Sequence, residues 1–369
     1  MVLTRRQALL VLNQLPKVGP VKIRRLLERF ETPEAILAAS VAELRQVHGI
    51  SEASAKLVRE WQNHTDVTQE ESRIRELGVH FITAEDELYP DTLREIYDPP
   101  LVLYVWGQLE MRDRIAVGVV GSRRCTHYGS QSAKKISYQL AGAGVTVLSG
   151  LARGIDTAAH EGAIAAKGRT IAVIGSGLGQ LYPPENQALA EKIAAGHGAV
   201  VSEFPIDQHP DKQTFPMRNR IVSGWSSGIL VIEAPAWSGS LITANMAAEQ
   251  GRSVYAVPGP IDKPTHVGCH KLIQNGARLV ISAQDVLDDL GNLFPSEAGA
   301  APDAPGLYPI DSLSPEEQSV YACVGSTETH VEAILTACDL PTPTVSASLM
   351  RLELKKIIKQ FPGRHYARL

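Results

Sequence analysis

The sequence predicts an α/β fold with a parallel sheet at its centre, a helical module before it and a winged-helix module after it. Three observations carry that expectation. Six short β-branched runs recur at starts 24–30 residues apart, with alanine-rich, helix-prone intervals between them. Residues 1–80 place their apolar side chains at helical spacing instead. A proline-, glycine- and alanine-rich stretch, residues 296–312, then separates off a short tail of helix and hairpin signals.

In the first 80 residues, Leu9, Leu10, Leu12, Leu15 and then Ile23, Leu26, Leu27, Phe30 recur at three- and four-residue steps, the period of a helix with one buried face. Two segments resemble each other, L-P-K-V-G-P-V-K-I-R-R-L-L (15–27) and V-H-G-I-S-E-A-S-A-K-L-V (47–58). Each sets a glycine turn before a helix, as in a helix-hairpin-helix pair. Such a pair presents helix-terminal amides to DNA phosphates or serves as a packing module; the sequence leaves both open. A connector follows and ends in L-V-L-Y-V-W-G after Pro99-Pro100, which reads as a strand.

The six runs are I-A-V-G-V-V-G (115–121), V-T-V-L-S-G (145–150), T-I-A-V-I-G (170–175), A-V-V-S-E-F (199–204), I-L-V-I-E-A (229–234) and S-V-Y-A-V-P-G (253–259). Strands alternating with helices imply βαβ units with helices on both faces. Ligands of such sheets sit beyond the carboxyl ends of the strands. Here those ends read Gly121-Ser122-Arg123, Ser149-Gly150, Gly175-Ser176-Gly177, Glu203-Phe204 and Glu233-Ala234. Small residues let backbone amides approach a ligand, and the following helix favours an anion. The expectation is an edge built for phosphate.

In the tail, helical signals at Pro315–Cys323, Val331–Cys338 and Thr344–Lys356 precede a hairpin that turns at Pro362-Gly363. Three helices and a β-wing make a winged helix. Its recognition helix, Thr344–Lys356, is mildly basic, so either DNA or protein contact fits.

The net charge of −4 argues against a generally basic nucleic-acid coat. Residues 81–312 carry 18 Lys/Arg against 24 Asp/Glu, so a basic cluster there would act as a focused positive site. The four cysteines show no C-x-x-C pair, which points away from a disulfide framework or zinc site and toward a reducing cytoplasm. T-R-R-Q-A-L-L-V-L imitates a twin-arginine export signal, but its apolar run stops at Asn13 and reads as an amphipathic helix. No apolar run approaches the ~18–20 residues of a membrane span.

The densest candidate chemistry is K-Q-T-F-P-M-R-N-R-I-V-S-G, residues 212–224. Lys212, Arg218 and Arg220 are phosphate-binding side chains, and Phe215 offers the face on which an unpaired base stacks. Neither G-x-G-x-x-G nor G-x-x-x-x-G-K-[ST] stands at a strand end, so no nucleotide cofactor is expected. In S-G-L-A-R-G-I-D-T-A-A-H (149–160), Gly150 suits a tight turn and Arg153 would reach a phosphate. Asp156 and His160 share a helix face, as a carboxylate–imidazole pair or, more simply, as structural hydrogen-bonding groups. Glu203 and Glu233 end two strands, and two carboxylates in one pocket would suit general acid–base hydrolysis. Cys125 follows the G-S-R turn but has no sequence-evident activating histidine partner. Ser238-Gly239-Ser240 would complete a phosphate cradle, while Trp225 and Trp237 would either stack on bases or pack.

G-S-R, S-G-L-A-R-G-I-D, Y-P-P-E-N, S-E-F-P, F-P-M-R-N-R-I-V-S-G, S-G-S-L-I-T-A and V-P-G-P-I stand in one order over about 170 residues. With these motifs the chain resembles the bacterial DNA-processing protein A (Smf) family. The resemblance implies an extended Rossmann-like core that binds single-stranded DNA and works as a homodimer. It implies protection of incoming strands and loading of a RecA-type recombinase during natural transformation, with a single-stranded-DNA-binding protein as a further candidate partner. By motif, Arg123 and Lys212 would contact phosphate, with Gly121 and Ser122 lending main-chain and hydroxyl groups. Phe215 would stack a base, and Arg218, Asn219 and Arg220 would line the same groove. His270, Leu272 and Ile273 resemble the dimer edge, although the family usually has Asn where His270 stands.

The sequence therefore leads us to expect a helical helix-hairpin-helix (SAM-like) domain at 1–80 and a Rossmann-like single-stranded-DNA-binding domain at 81–295. A linker at 296–312 and a winged helix at 313–369 would follow. The expected protein is a non-enzymatic, cytoplasmic recombination mediator without metal or cofactor. The rival is a nucleotide phosphoribohydrolase on a related sheet. Its P-G-G-x-G-T loop is replaced here by S-G-S-L-I-T-A.

Overall fold

The structure is a computed structural model that describes residues 3–293 and, beyond them, 313–325, 329–338, 340–354, 357–361 and 365–368. The expected linker at 296–312, the turn at Pro362-Gly363 and the end of the Thr344–Lys356 helix lie outside the described residues. The chain divides into two compact units, Met1–Leu290 and Gly291–Leu369.

The first unit opens with helices α1 (Arg5–Gln14), α2 (Pro20–Phe30), α3 (Pro33–Ala38), α4 (Val41–Arg45), α5 (Glu52–Arg59) and α6 (Val67–Glu76). Side-chain caps start most of them: Thr4, Thr32, Ser40, Ser51 and Asp66 each accept an otherwise unpaired amide of the first turn. Helix α2 begins instead at Gly19 with Pro20 in its first turn, where the missing N–H costs nothing. The helical module has no separate core. Leu10, Leu12, Ile23 and Leu26 belong to one apolar cluster with Val102, Tyr104, Ala172 and Val200 of the sheet.

Strands and helices then alternate: β1 (His80–Thr83), α7 (Asp91–Arg94), β2 (Val102–Gly107), β3 (Ala116–Val120), α8 (His127–Gly142), β4 (Thr146–Ser149), α9 (Ile155–Ala165) and β5 (Thr170–Val173). The rest are α10 (Gln187–Lys192), β6 (Gly198–Ser202), α11 (Thr214–Trp225), β7 (Gly228–Val231), α12 (Gly239–Glu249), β8 (Ser253–Ala256), α13 (Val267–Gln274), β9 (Arg278–Leu279) and α14 (Ala283–Leu293). All six strands expected from the β-branched runs are present. The nine strands form one sheet in the order β1-β2-β6-β5-β4-β3-β7-β8-β9. It is parallel from β6 to β9, and β2 and β1 add an antiparallel edge. The two-residue β9 is too short to show a pattern in sequence.

Alternation along β3 shows how the sheet is sandwiched. Val117 and Val119 pack with α8, α9 and α14, whereas Ala116 and Val120 pack with α11 and α12 on the other face. Strand order reverses between β3 and β7, and that reversal opens a crevice at their carboxyl ends.

Within the sheet, His160 of α9 is fully buried and its Nδ1 lies 2.7 Å from the Thr170 hydroxyl. That hydroxyl donates to the Val147 carbonyl, so the imidazole donates through Nδ1. Burial pulls its pKa down to about 3. Asp156, one turn earlier, serves the preceding turn, so the structural reading of both residues holds. An unfolded chain takes up this proton below pH ~6.5, while the native site refuses it until about pH 3. Its contribution is therefore full above pH ~6.5 and falls by about 1.4 kcal/mol per pH unit below. Urea unfolding at pH 6.5 and 5 is expected to show a flatter pH dependence for His160→Gln than for wild type. Parallel curves would refute it.

The second unit contains α15 (Pro315–Cys323), β10 (Thr329–His330), α16 (Val331–Ala337), α17 (Thr342–Leu354), β11 (Ile358–Phe361) and β12 (His365–Arg368). Val320, Ile334, Val345, Leu349 and Leu352 form its core, and a sheet of order β10-β12-β11 supplies the wing.

Candidate functional site

A cleft of about 660 Å³ lies at the reversal point. Its lining comes from the turn after β3 (Gly121–Arg124), the turn after β4 (Gly150, Ala152, Asp156) and the amino half of α11. The turn into α12, Pro235 to Thr243, and Thr265 complete it.

Helix α11 is anchored by Thr214, whose hydroxyl donates to the Gly175 carbonyl after β5. Pro216 falls in the first turn, where proline is tolerated. Positions i, i+3, i+4 and i+7 then share a face, so Phe215, Arg218, Asn219 and Val222 all line the cleft. Arg220 does not. Two residues beyond Arg218, it points to the opposite side, where it is buried in ion pairs with Glu203 and with Asp98 at 3.1 Å. The expectation that Arg218, Asn219 and Arg220 share one groove is corrected for Arg220.

Arg218 is buried, and its guanidinium donates to the Gly150 carbonyl at 2.6 Å and to the Val173 carbonyl. Burial pulls its pKa down to about 10, opposed by nearby Asp156, so it remains a cation at neutral pH. A Cβ at Gly150 would collide with this guanidinium, which is why glycine stands there. Asn219 accepts from Arg218 Nε at 3.2 Å.

Phe215 is half-buried against Gly175, where a Cβ would come within 2.9 Å of its ring. The Arg123 guanidinium sits 5.1 Å from the Phe215 centroid, and Tyr182 lies 5.9 Å away on a tilted approach. Arg153 in turn lies 5.9 Å from the Tyr182 centroid and pairs with Glu185. The result is a row of alternating cations and rings, Arg123–Phe215–Tyr182–Arg153, held partly by cation–π attraction. Lys212 and Arg124 are exposed on the cleft lining.

The expected phosphate-binding amides are differently employed. Ser122 N donates to the Glu233 carbonyl at 2.7 Å, and the Ser122 hydroxyl accepts from Arg124 N. Gly150 N and Ala152 N both donate to the buried Asp156 carboxylate. At the start of α8, Thr126 N and Oγ1 donate to Glu233, which is fully buried. Two turns of the kind that cradle phosphate in nucleotide-binding sheets are thus filled by the chain's own carboxylates. Gly121 is close-packed against Ile155 and the Glu233 carbonyl, so its role is spacing.

An anion entering the cleft would therefore meet side chains rather than free turn amides. Four cations, Arg123, Arg124, Lys212 and Arg218, line the cleft against one carboxylate, Asp156. Ser240, also on the lining, places its hydroxyl 2.7 Å from that of Ser238.

Glu203 and Glu233 are not brought together on the cleft lining: Glu203 pairs with Arg220 and Glu233 accepts from Thr126. Burial first, and Glu233 second, push the Cys125 thiol up, which disfavours a thiolate nucleophile. Trp225 is core, its Nε1 donating to the Asp113 carbonyl. His270 Nε2 lies 3.0 Å from the Gly259 carbonyl, and Leu272 and Ile273 are partly buried against the core. Sequence reasoning missed Arg124, Tyr182 and Thr265 of the two adjoining hollows. The G-S-R-R doublet and the Y-P-P-E-N motif were the available signals for the first two.

The family model for DNA recombination-mediator protein A matches residues 80–291, which hold the whole sheet and the cleft. The chain belongs to this family. A SAM-like helix-hairpin-helix tandem model matches residues 9–60, and a DprA winged helix domain model matches 300–364. Protein Smf of Synechocystis is 36% identical over 96% of this chain and 97% of its own length. Protein Smf of Escherichia coli is 42% identical over 79% and 77%. The X-ray structure of DNA processing protein A from Streptococcus pneumoniae superposes with a TM-score of 0.69 at 36% identity, covering 78% of this chain and 99% of that one. A Helicobacter pylori DNA processing protein A structure, described as giving insight into that protein's single-stranded DNA binding mode, matches at TM-score 0.52 and 28% identity, covering 58% and 96%. In this recombination-mediator chain, no helix among the described residues is long and apolar enough to cross a membrane.

Proposed function

We propose that this chain binds single-stranded DNA in the cleft and uses the bound strand to load a RecA-type recombinase, without itself catalysing a reaction. The cation–ring row carries the reading. Arg123, Lys212 and Arg124 would grip phosphates while Phe215 stacks an unpaired base. Duplex DNA is disfavoured because its bases are already stacked. With the turn amides filled by Asp156 and Glu233, affinity rests on exposed cations, so it is expected to be strongly salt-dependent.

Two copies would put two such clefts on one strand and raise avidity. The open side of β9 supports this arrangement: it is the sheet's edge, and Leu279 on it and Ile281 just after it are 47% and 75% exposed. His270, Leu272 and Ile273 on the adjoining α13 would back that edge.

Fluorescence anisotropy of a labelled single-stranded oligonucleotide, titrated across salt with a duplex competitor, tests the reading. The log–log slope is expected at about −0.7 per phosphate contacted. Arg123→Ala and Lys212→Ala should each make it shallower by about 0.7. Ile281→Glu should halve the mass and weaken long oligonucleotides more than short ones. No binding at low salt would end the proposal, and equal losses on both lengths would remove the dimer from it.

A further inference from the structure

We propose that Trp237 is a second base-stacking platform, so that the strand runs from Phe215 across the cleft and over the amino end of α12. This inference rests on the single-stranded-DNA reading above.

Of the four tryptophans, Trp225 is fully buried and Trp61 and Trp106 are half-buried, whereas Trp237 is 97% exposed. An exposed apolar ring alone says little; its position says more. Trp237 sits in the turn from β7 into α12, between residues that line the cleft: Pro235 before it and Ser238, Gly239 and Ser240 after it. Ile242, one helical turn on, is also exposed and on the lining. The turn is held without the indole. Ser238 N donates to the Pro235 carbonyl at 3.1 Å, and the Ser238 side chain caps α12.

The surroundings repeat the chemistry at Phe215 with different groups. There, a ring stands beside exposed cations. Here, Trp237 immediately precedes Ser238 in the chain, and the Ser238 and Ser240 hydroxyls, 2.7 Å apart, stand at the start of an eleven-residue helix, whose positive end favours a phosphate. Gly239 is exposed, and a Cβ there would meet nothing within 4 Å, so a backbone has room to approach. Tryptophan offers a large, sequence-tolerant stacking face. The two rings come from different lining segments, α11 and the β7–α12 turn. A strand contacting both would therefore cross the cleft.

The test is anisotropy with a single-stranded oligonucleotide, run beside intrinsic tryptophan emission, on wild type, Trp237→Ala, Trp237→Phe and Phe215→Ala. Because the side chain is solvent-exposed, its replacement should leave the melting temperature unchanged. Trp237→Ala is expected to weaken binding about tenfold, and Trp237→Phe to restore most of it. Emission should be quenched on binding in wild type and in Phe215→Ala at saturating strand, and quenching should be lost in Trp237→Phe. An oligonucleotide of abasic residues should erase the difference between wild type and Trp237→Ala. If Trp237→Ala binds like wild type while Phe215→Ala does not, this inference falls and the cleft reading stands. If wild type itself fails to bind, both fall. A change of mass in Trp237→Ala, without a change in affinity, would assign the indole to contact between copies and overturn the proposal.

Discussion

Asp113→Ala is expected to destabilise the first unit by about 3 kcal/mol, the low end for breaking a buried ion pair, because Arg169 keeps Glu110 as a second, more exposed partner. Asp113 and Arg169 are both almost fully buried. The carboxylate accepts from Arg169 Nε at 2.7 Å and Nη2 at 2.6 Å, from the Thr146 hydroxyl at 2.8 Å and from Glu110 N at 2.8 Å. It thereby ties the turn before β3 to the starts of β4 and β5, at the end of the sheet opposite the cleft. Its loss would strand the Arg169 guanidinium with only Glu110 and the Gln108 carbonyl. Total stabilities of ~5–15 kcal/mol make this a large fraction. Urea unfolding measures it. The double variant Asp113→Leu/Arg169→Met should recover part of the loss, because no unpaired charge is then buried. A loss below about 1 kcal/mol would show that water reaches Arg169. Single-stranded DNA affinity of the folded protein should not change.

Phe215→Ala is expected to lower single-stranded DNA affinity by about tenfold to a hundredfold, the worth of one stacked base. Two effects combine. The stacking face is removed, and Arg123 loses the ring over which it is held at 5.1 Å. Phe215→Trp should keep most of the affinity if the hollow beside Gly175 accepts the larger ring. Stability should suffer much less than for Asp113→Ala, since Phe215 is only half-buried. Anisotropy and thermal melting on the same samples separate the two. Equal weakening for single strands and duplex would mean that Phe215 does not read an unstacked base.

Much of the site was legible because it is local. The run from Lys212 to Asn219 is one helix start, and its 215, 218, 219, 222 spacing specifies a shared face. The same period, applied to Arg220, would have removed that residue from the groove. Asp156 was legible as a structural hydrogen-bonding group at a helix start and Glu233 as a strand-end carboxylate, but the partner of Glu233 was not. Asp156 serves a turn four to six residues away, and Glu233 serves one more than a hundred residues away. Tyr182 reaches Phe215 across 33 positions, a contact no periodicity encodes.

The amino-acid order by itself determined the parallel sheet, from β-branched runs alternating with helix-prone intervals, and the local supply of cations and rings in residues 212–220, because both are properties of short stretches of chain. Tertiary structure alone decided which of those groups face one another. It turned Arg220 into a buried ion pair, filled the phosphate-ready turns with Glu233 and Asp156, and left the cleft's exposed charge on Arg123, Arg124 and Lys212. The physical reason is that pairing and desolvation depend on distances between elements, which packing fixes and sequence spacing does not.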